Sequence, residues 1–136
     1  MGATGPHFSD AELACPHCRR SECTQKLVDA LEEFRAAVQK PVLVNSAYRC
    51  AAHNAAVGGA KASEHLAGRA ADIRVSGMTA AQLEAVARGI PAIRGIGRAD
   101  HQGYLHVDVR PAVTLARWCY SADGKWCGYY SPQEAA

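Results

Sequence analysis

Two short stretches carry side chains of the kind that bind metals. "SEHLAGRAAD", Ser63 to Asp72, holds a histidine and an aspartate seven residues apart, and "YLHVDVR", Tyr104 to Arg110, holds a second histidine. Zinc takes imidazole nitrogen and carboxylate oxygen, and a catalytic site uses three protein ligands while leaving a fourth position open. His65, Asp72 and His106 supply that set if the chain brings them together. The alternation in "AADIRV" predicts a strand with Ala71, Ile73 and Val75 toward a core and Asp72 and Arg74 away from it. By the same period of two, Leu105, Val107 and Val109 point inward, and Tyr104, His106, Asp108 and Arg110 stand together on the other face. A row of Tyr, His, Asp and Arg opposite a wholly apolar face describes the floor of a cleft. The residues between His65 and Asp72 suffice to leave a loop and enter the strand. Gly68, Ala70 and Ala71 are small enough for that loop to pack on the sheet and leave room above a metal for a substrate.

The surrounding elements can be read from pattern. From Thr24 onward, Leu27, Leu31, Phe34 and Val38 recur at helical spacing, and Pro41 stops the helix. Val42 to Asn45, β-branched and bounded by Pro41 and "SAYR", predicts a strand. Arg49 to Glu64, with Gly58-Gly59 and several alanines, predicts a short helix and a close-packed loop. Thr79 with Gln82 forms a capping box for a helix that buries Leu83, Val86 and Ile90 and ends at Gly89. Ile93 to Gly97 predicts a third strand.

The chain of 136 residues is 49 % hydrophobic and 21 % charged, a globular composition sufficient for one domain, taken as residues 1–136 with a core at about 8–118 and a C-terminal hairpin at 115–130. A net charge of +2 and 7 % aromatics offer no stripe for nucleic acid. No apolar run is long enough to span a bilayer, the start lacks the marks of a secretory leader, and the expected state is a monomer. The six cysteines need their own account. The Asp123-Gly124 turn, with a three-residue loop Ala122 to Gly124, would put Cys119 opposite Cys127 and predicts a disulfide. Cys15, Cys18, Cys23 and Cys50 would then form up to two further bridges of open connectivity, which favours an oxidising compartment. In another reading Cys15, Cys18 and Cys23 hold a second, structural zinc ion, although no second CxxC lies at ribbon spacing.

With those residues in view, the chain resembles the zinc D-Ala-D-Ala carboxypeptidase family and its relatives, which include peptidoglycan L-Ala-D-Glu endopeptidases, vancomycin-resistance dipeptidases and the zinc domain of hedgehog proteins. The likeness spans roughly Phe8 to Trp118. It rests on an S-x-H-x-x-G-x-A-x-D pattern filled by Ser63, His65, Gly68, Ala70 and Asp72, on "SAYR" before it and on "HVD" after it. The resemblance implies a small α+β fold, an antiparallel sheet with helices packed on one side and a zinc cleft on the other face. It implies one Zn²⁺ held by His65, Asp72 and His106, and hydrolysis of the peptidoglycan stem peptide at the cell wall, in the periplasm or outside the cell. Arg49 takes the place of the family's "S-x-Y-R" arginine and would bind a substrate carbonyl or carboxylate; a structural ion pair is its alternative. Ser63 and Tyr104 join it as substrate-binding candidates. Relatives often carry a general base two or three residues before the last zinc ligand, where this chain has Gly103 and Tyr104. Asp108 is therefore the first candidate base, with an orienting role equally open to it, and Asp100 and His101 are the second. The activity expected first is that of a D-Ala-D-Ala carboxypeptidase; an L-Ala-D-Glu endopeptidase and a catalytically silent zinc-bearing binding module are the alternatives.

Overall fold

The computed structural model describes residues 2–129, so the expected domain limits at 1 and 136 and the hairpin limit at 130 lie outside the described residues. Four helices and six strands follow in the order α1 (Asp10–Leu13), α2 (Gln25–Val38), β1 (Leu43–Ser46), α3 (Ala51–Ala56), β2 (Ala70–Arg74), α4 (Ala80–Ala87), β3 (Gly95–Ala99), β4 (Tyr104–Asp108), β5 (Ala116–Tyr120) and β6 (Trp126–Tyr129). The strands form one sheet in the order β1-β2-β4-β3-β5-β6. Each neighbouring pair is antiparallel except β3 with β5, which run parallel. The architecture is the α+β one expected, with this parallel pair as a departure from a purely antiparallel sheet.

The helices begin where capping chemistry places them. Thr24 accepts from the Leu27 N–H at the start of α2, and Thr79 and Gln82 cap α4 reciprocally. α2 ends before Pro41 is reached: Gln39 adopts the left-handed conformation and donates its N–H to the Arg35 carbonyl, 3.0 Å away. α2 buries Leu27, Val28, Leu31 and Phe34, and α4 buries Leu83, against Ile73, Leu105 and Val107 from one face of the sheet. Each such side chain contributes about 1.5–3 kcal/mol when taken fully from water. Val38 and Val86, expected in this face, are only partly buried.

Two strand boundaries differ from expectation. β1 starts at Leu43 because Val42 turns into the core as the chain leaves Gln39. Ile93 lies in the turn that closes α4, its N–H bonded to the Ile90 carbonyl, so β3 starts at Gly95, opposite Asp108. Glu84 is a buried carboxylate on α4 that accepts from Arg117 Nε and Nη2 at 2.8 and 2.6 Å and pairs with Arg98 Nη1 at 3.3 Å. That network ties α4 to β3 and β5 on the core side.

Cys119 and Cys127 form the expected disulfide. The Ser121 N–H donates to the Lys125 carbonyl around the three-residue loop, while an irregularity after Cys119 sets Gly128 opposite Cys119. The other expected bridges are not formed. Cys15, Cys18, Cys23 and Cys50 are free thiols. Cys23 is buried against the Leu13 carbonyl, apart from the other three, so the expected Cys15–Cys18–Cys23 grouping is replaced by one in which Cys50 takes the place of Cys23. Among the described residues no helix is long and apolar enough to cross a membrane.

Candidate metal centre

Asp72 on β2 and His106 on β4 are cross-strand partners, so sheet geometry alone sets both side chains on one face, opposite the apolar core. His65 joins them from the turns that lead into β2. Ser63 Oγ accepts from the His65 N–H at 3.2 Å, and the Gly68 N–H donates to the His65 carbonyl. Gly68 has φ +69°, and a Cβ there would run into the Glu22 carbonyl; its own carbonyl accepts from the Thr24 N–H. The need for a small residue at this position is thus docking of the ligand loop on the strap before α2, not the open space above a metal that the sequence suggested. Ala71 packs in the core and Ala70 lies opposite Asp108.

His65 Nε2, Asp72 Oδ1 and His106 Nδ1 converge, with Asp72 Oδ1 at 3.3 Å from the first and 3.1 Å from the second. All three residues are buried. His65 Nδ1 lies 2.6 Å from the Ala47 carbonyl, which can only accept, so that nitrogen carries the ring proton and Nε2 presents a lone pair. This lone pair faces a carboxylate oxygen, and His65 Nε2 is a buried polar atom with no hydrogen-bond partner. Two acceptors aimed at each other in a dry site are mutually repulsive until a cation stands between them. The two-nitrogen, one-oxygen set suits Zn²⁺ with a fourth position open.

Burial opposes ionisation of Asp72, but positive charge between it and the imidazoles of His65 and His106, a proton in the metal-free site, outweighs burial and holds the carboxyl well below the usual carboxylate range. Burial likewise disfavours the charged form of His106, yet Asp108 and Asp72 on its two ring nitrogens push it up to about 9.

Behind His106, Asp108 is fully buried. Its Oδ2 lies 2.8 Å from His106 Nε2, and Arg110 donates from Nε to Oδ1 and from Nη2 to Oδ2, both at 2.8 Å. Burial raises the Asp108 carboxyl, but Arg110 and His106 overcome this and leave it held low. Gly95 makes the arrangement possible, since a Cβ there would occupy the Asp108 carboxylate's place.

Arg49 lies on the opposite side of the ligand set. Its Nη2 donates to Asp72 Oδ2 at 3.2 Å, Nε to Ser46 Oγ at 3.1 Å and Nη1 to Asn54 Oδ1 at 3.2 Å. Asn54 is itself anchored on the Ala60 carbonyl. Tyr104 is half-buried, and burial together with the Asp72 carboxylate pushes its hydroxyl up to about 12. Asp100 is paired with Arg98 at 3.1 Å, and His101 is exposed in the turn between β3 and β4.

Several participants were not read from sequence. Trp118 and Tyr120 form an aromatic wall: the Trp118 ring is 5.1 Å from His106 and under the Arg110 guanidinium, and Tyr120 is 6.3 Å from Tyr104. The alternation in "RWCY" would place both aromatics on one face, but which face depends on the parallel pairing of β5 with β3. Asn54 gave no signal beyond its place in a short helical run.

No curated protein matches the chain. A family model described as Peptidase M15 matches residues 6–108 of the 136, a span that includes all three metal-ligating candidates. The chain therefore belongs to the Peptidase M15 family, zinc-dependent peptidases that act on peptidoglycan.

Proposed function

We propose that this peptidase is a carboxypeptidase of the D-Ala-D-Ala type, releasing the terminal residue of the peptidoglycan stem peptide. His65 Nε2, Asp72 Oδ1 and His106 Nδ1 would hold Zn²⁺, which when bound supplies a Lewis acid for the scissile carbonyl and makes water nucleophilic near neutral pH. The observation that carries the carboxypeptidase reading is the placement of Arg49. A guanidinium already fixed by Ser46, Asn54 and Asp72 at the rim of the ligand set offers a preorganised fork to a terminal carboxylate or to the oxyanion that develops at the carbonyl. Ser63, bonded to the His65 N–H, orders the ligand turn, and Tyr104 supplies a hydroxyl that stays protonated at working pH.

Asp108 acts as a positioning residue. It orients His106 through Nε2, and with Arg110 on both oxygens it is not presented to a substrate. Proton transfer then falls to the β3–β4 turn, where His101 is exposed while Asp100 is held by Arg98. The same engagement of Asp108 supports a second reading, a zinc-bearing module that binds stem peptide without cutting it.

Incubation of the purified protein with a synthetic stem pentapeptide and mass analysis of the products separates these readings. Loss of one alanine is expected. Cleavage between L-Ala and D-Glu would make the protein an endopeptidase, and an intact peptide with measurable binding would leave the silent module.

A further inference from the structure

A second cluster of metal-binding side chains lies outside the site described above. The sulfur atoms of Cys15, Cys18 and Cys50 all lie within 4.8 Å of one another, with Cys15 Sγ and Cys50 Sγ 3.7 Å apart. Two distant segments build it. Around Pro16 and His17 the chain reverses so that the Cys15 N–H donates to the Arg20 carbonyl at 2.8 Å and the Arg19 N–H to the Cys15 carbonyl at 2.7 Å. Arg19 takes the left-handed conformation, φ 63°, to complete this knuckle. Cys50 arrives from the residue before α3, where it occupies the N-cap position without capping the helix with its side chain. Its N–H is directed at Cys15 Sγ at 3.5 Å, and the N–H groups of Cys18 and His17 point to the same sulfur.

We propose that Cys15, Cys18 and Cys50 bind a second, structural Zn²⁺ independent of the catalytic one, with an imidazole as fourth ligand. Tetrahedral zinc–thiolate bonds of about 2.3 Å require sulfur atoms about 3.8 Å apart, whereas a disulfide requires about 2.05 Å. The Cys15–Cys50 separation matches the first value. Three converging thiols also leave one over whichever pair is oxidised, while a single soft cation satisfies all three. Backbone N–H groups aimed at a sulfur stabilise its thiolate form, the form that ligates. The sequence spacing Cys15-x-x-Cys18 followed by Cys50-x-x-His53 is that of a three-cysteine, one-histidine site, and the rings of His53 and His17 stack at 6.5 Å.

The position of the cluster gives the ion a role. The residue before Cys50 is Arg49, and the Tyr48 N–H is bonded to the Leu13 carbonyl at the end of α1. A zinc ion here staples the N-terminal arm to the segment that presents Arg49 at the rim of the catalytic ligand set. It does not depend on which stem-peptide bond is cut.

The test is metal content and cobalt spectroscopy on the full chain purified under reducing conditions. About two zinc ions per chain are expected, falling to about one in His65→Ala and to about one in Cys18→Ser. Cobalt-substituted wild type and cobalt-substituted His65→Ala should both show sulfur-to-cobalt charge-transfer absorption in the near ultraviolet. The His65–Asp72–His106 site cannot produce that band because it contains no sulfur. The cobalt spectrum of wild type remains decisive even if Cys18→Ser fails to fold. A single zinc ion in wild type that is lost in His65→Ala, a cobalt spectrum without the sulfur band, or a Cys15–Cys50 disulfide mapped in protein prepared this way would each overturn the proposal.

Discussion

Asp108 engages His106 Nε2 with one carboxylate oxygen and shares both oxygens with the Arg110 guanidinium, an arrangement that fixes a ring and leaves no lone pair directed at solvent. Asp108→Asn keeps the shape but weakens the orientation of His106, so zinc affinity, read by competition with a coloured chelator, should fall about 10- to 100-fold. A fall in kcat of about two to four orders of magnitude with zinc affinity unchanged would instead make Asp108 the base. Arg49→Lys keeps the charge and loses the fork. Its kcat/KM on stem peptide should drop about 10- to 100-fold, the worth of a hydrogen bond between charged groups, while zinc content stays that of wild type. Burial pushes the Cys23 thiol up, whereas Cys18 and Cys50 are only partly buried, so in chelator-treated native protein Cys23 should be labelled by iodoacetamide after those two. At this scale the candidate ligand set, which the structure brings together, was legible because each of its residues carries chemistry in its own side chain. The orienting pair behind it was only half legible: alternation puts Asp108 and Arg110 on the face of His106, but nothing in the sequence says that their charges are used on each other.

The elements decide how closely these side chains can approach. In the row Ser46, Asp72, His106, Gly97 and Trp118, taken across four pairings, the one missing side chain is at Gly97. A Cβ there would stand 2.5 Å from the Trp118 indole nitrogen and 2.9 Å from the Tyr120 ring. Gly97→Ala should therefore displace Trp118 from His106, cost about 1–3 kcal/mol by overpacking, and shift the tryptophan emission, all measurable in one urea titration followed by fluorescence. In the β5–β6 hairpin, the Cys119–Cys127 bridge closes a loop of sequence separation 8. Paired Cys119→Ser and Cys127→Ser changes should lower stability by about 2–3 kcal/mol in the same titration. The helices α2 and α4 were read well because their starts are written in local capping residues, at Thr24 and Thr79, whereas the single turn of α1, opened by an equally local Ser9–Glu12 capping box, is too short to show a periodic apolar face and was missed. Strand limits were read less well because pairing sets them: Ile93 has the side chain of a strand residue, but the partner strand ends opposite Gly95. The parallel β3–β5 contact, and with it the aromatic wall, is a long-range pairing with no local sign.

In the whole molecule β4 is flanked on both sides, by β2 and by β3, and the edges of the sheet fall to β1 and β6. Hydrogen exchange should be slowest in β4 and fastest at the two edges. Removing zinc with a chelator should speed exchange in residues 63–74 and in β4, beside any change around the Cys15–Cys18–Cys50 cluster, since those segments hold the repelling lone pair of His65 Nε2 and the carboxylate it faces once the cation is gone. Uniform acceleration across the sheet would instead mean that metal and global stability are inseparable. The strand order has a further effect while the chain is being made. β4, one of the two middle strands, is the fourth to be synthesised, and β2, completed earlier, has one open edge until β4 inserts beside it. From Asp72 to Asp108 a ribosome working at about 5–20 residues per second needs about 2 to 7 s. Through that interval His65 and Asp72 are a pair of donors waiting for a third. The nascent protein thus lacks the complete candidate ligand set with which to capture a metal until its sheet can close, and loading of such a site would be timed by topology.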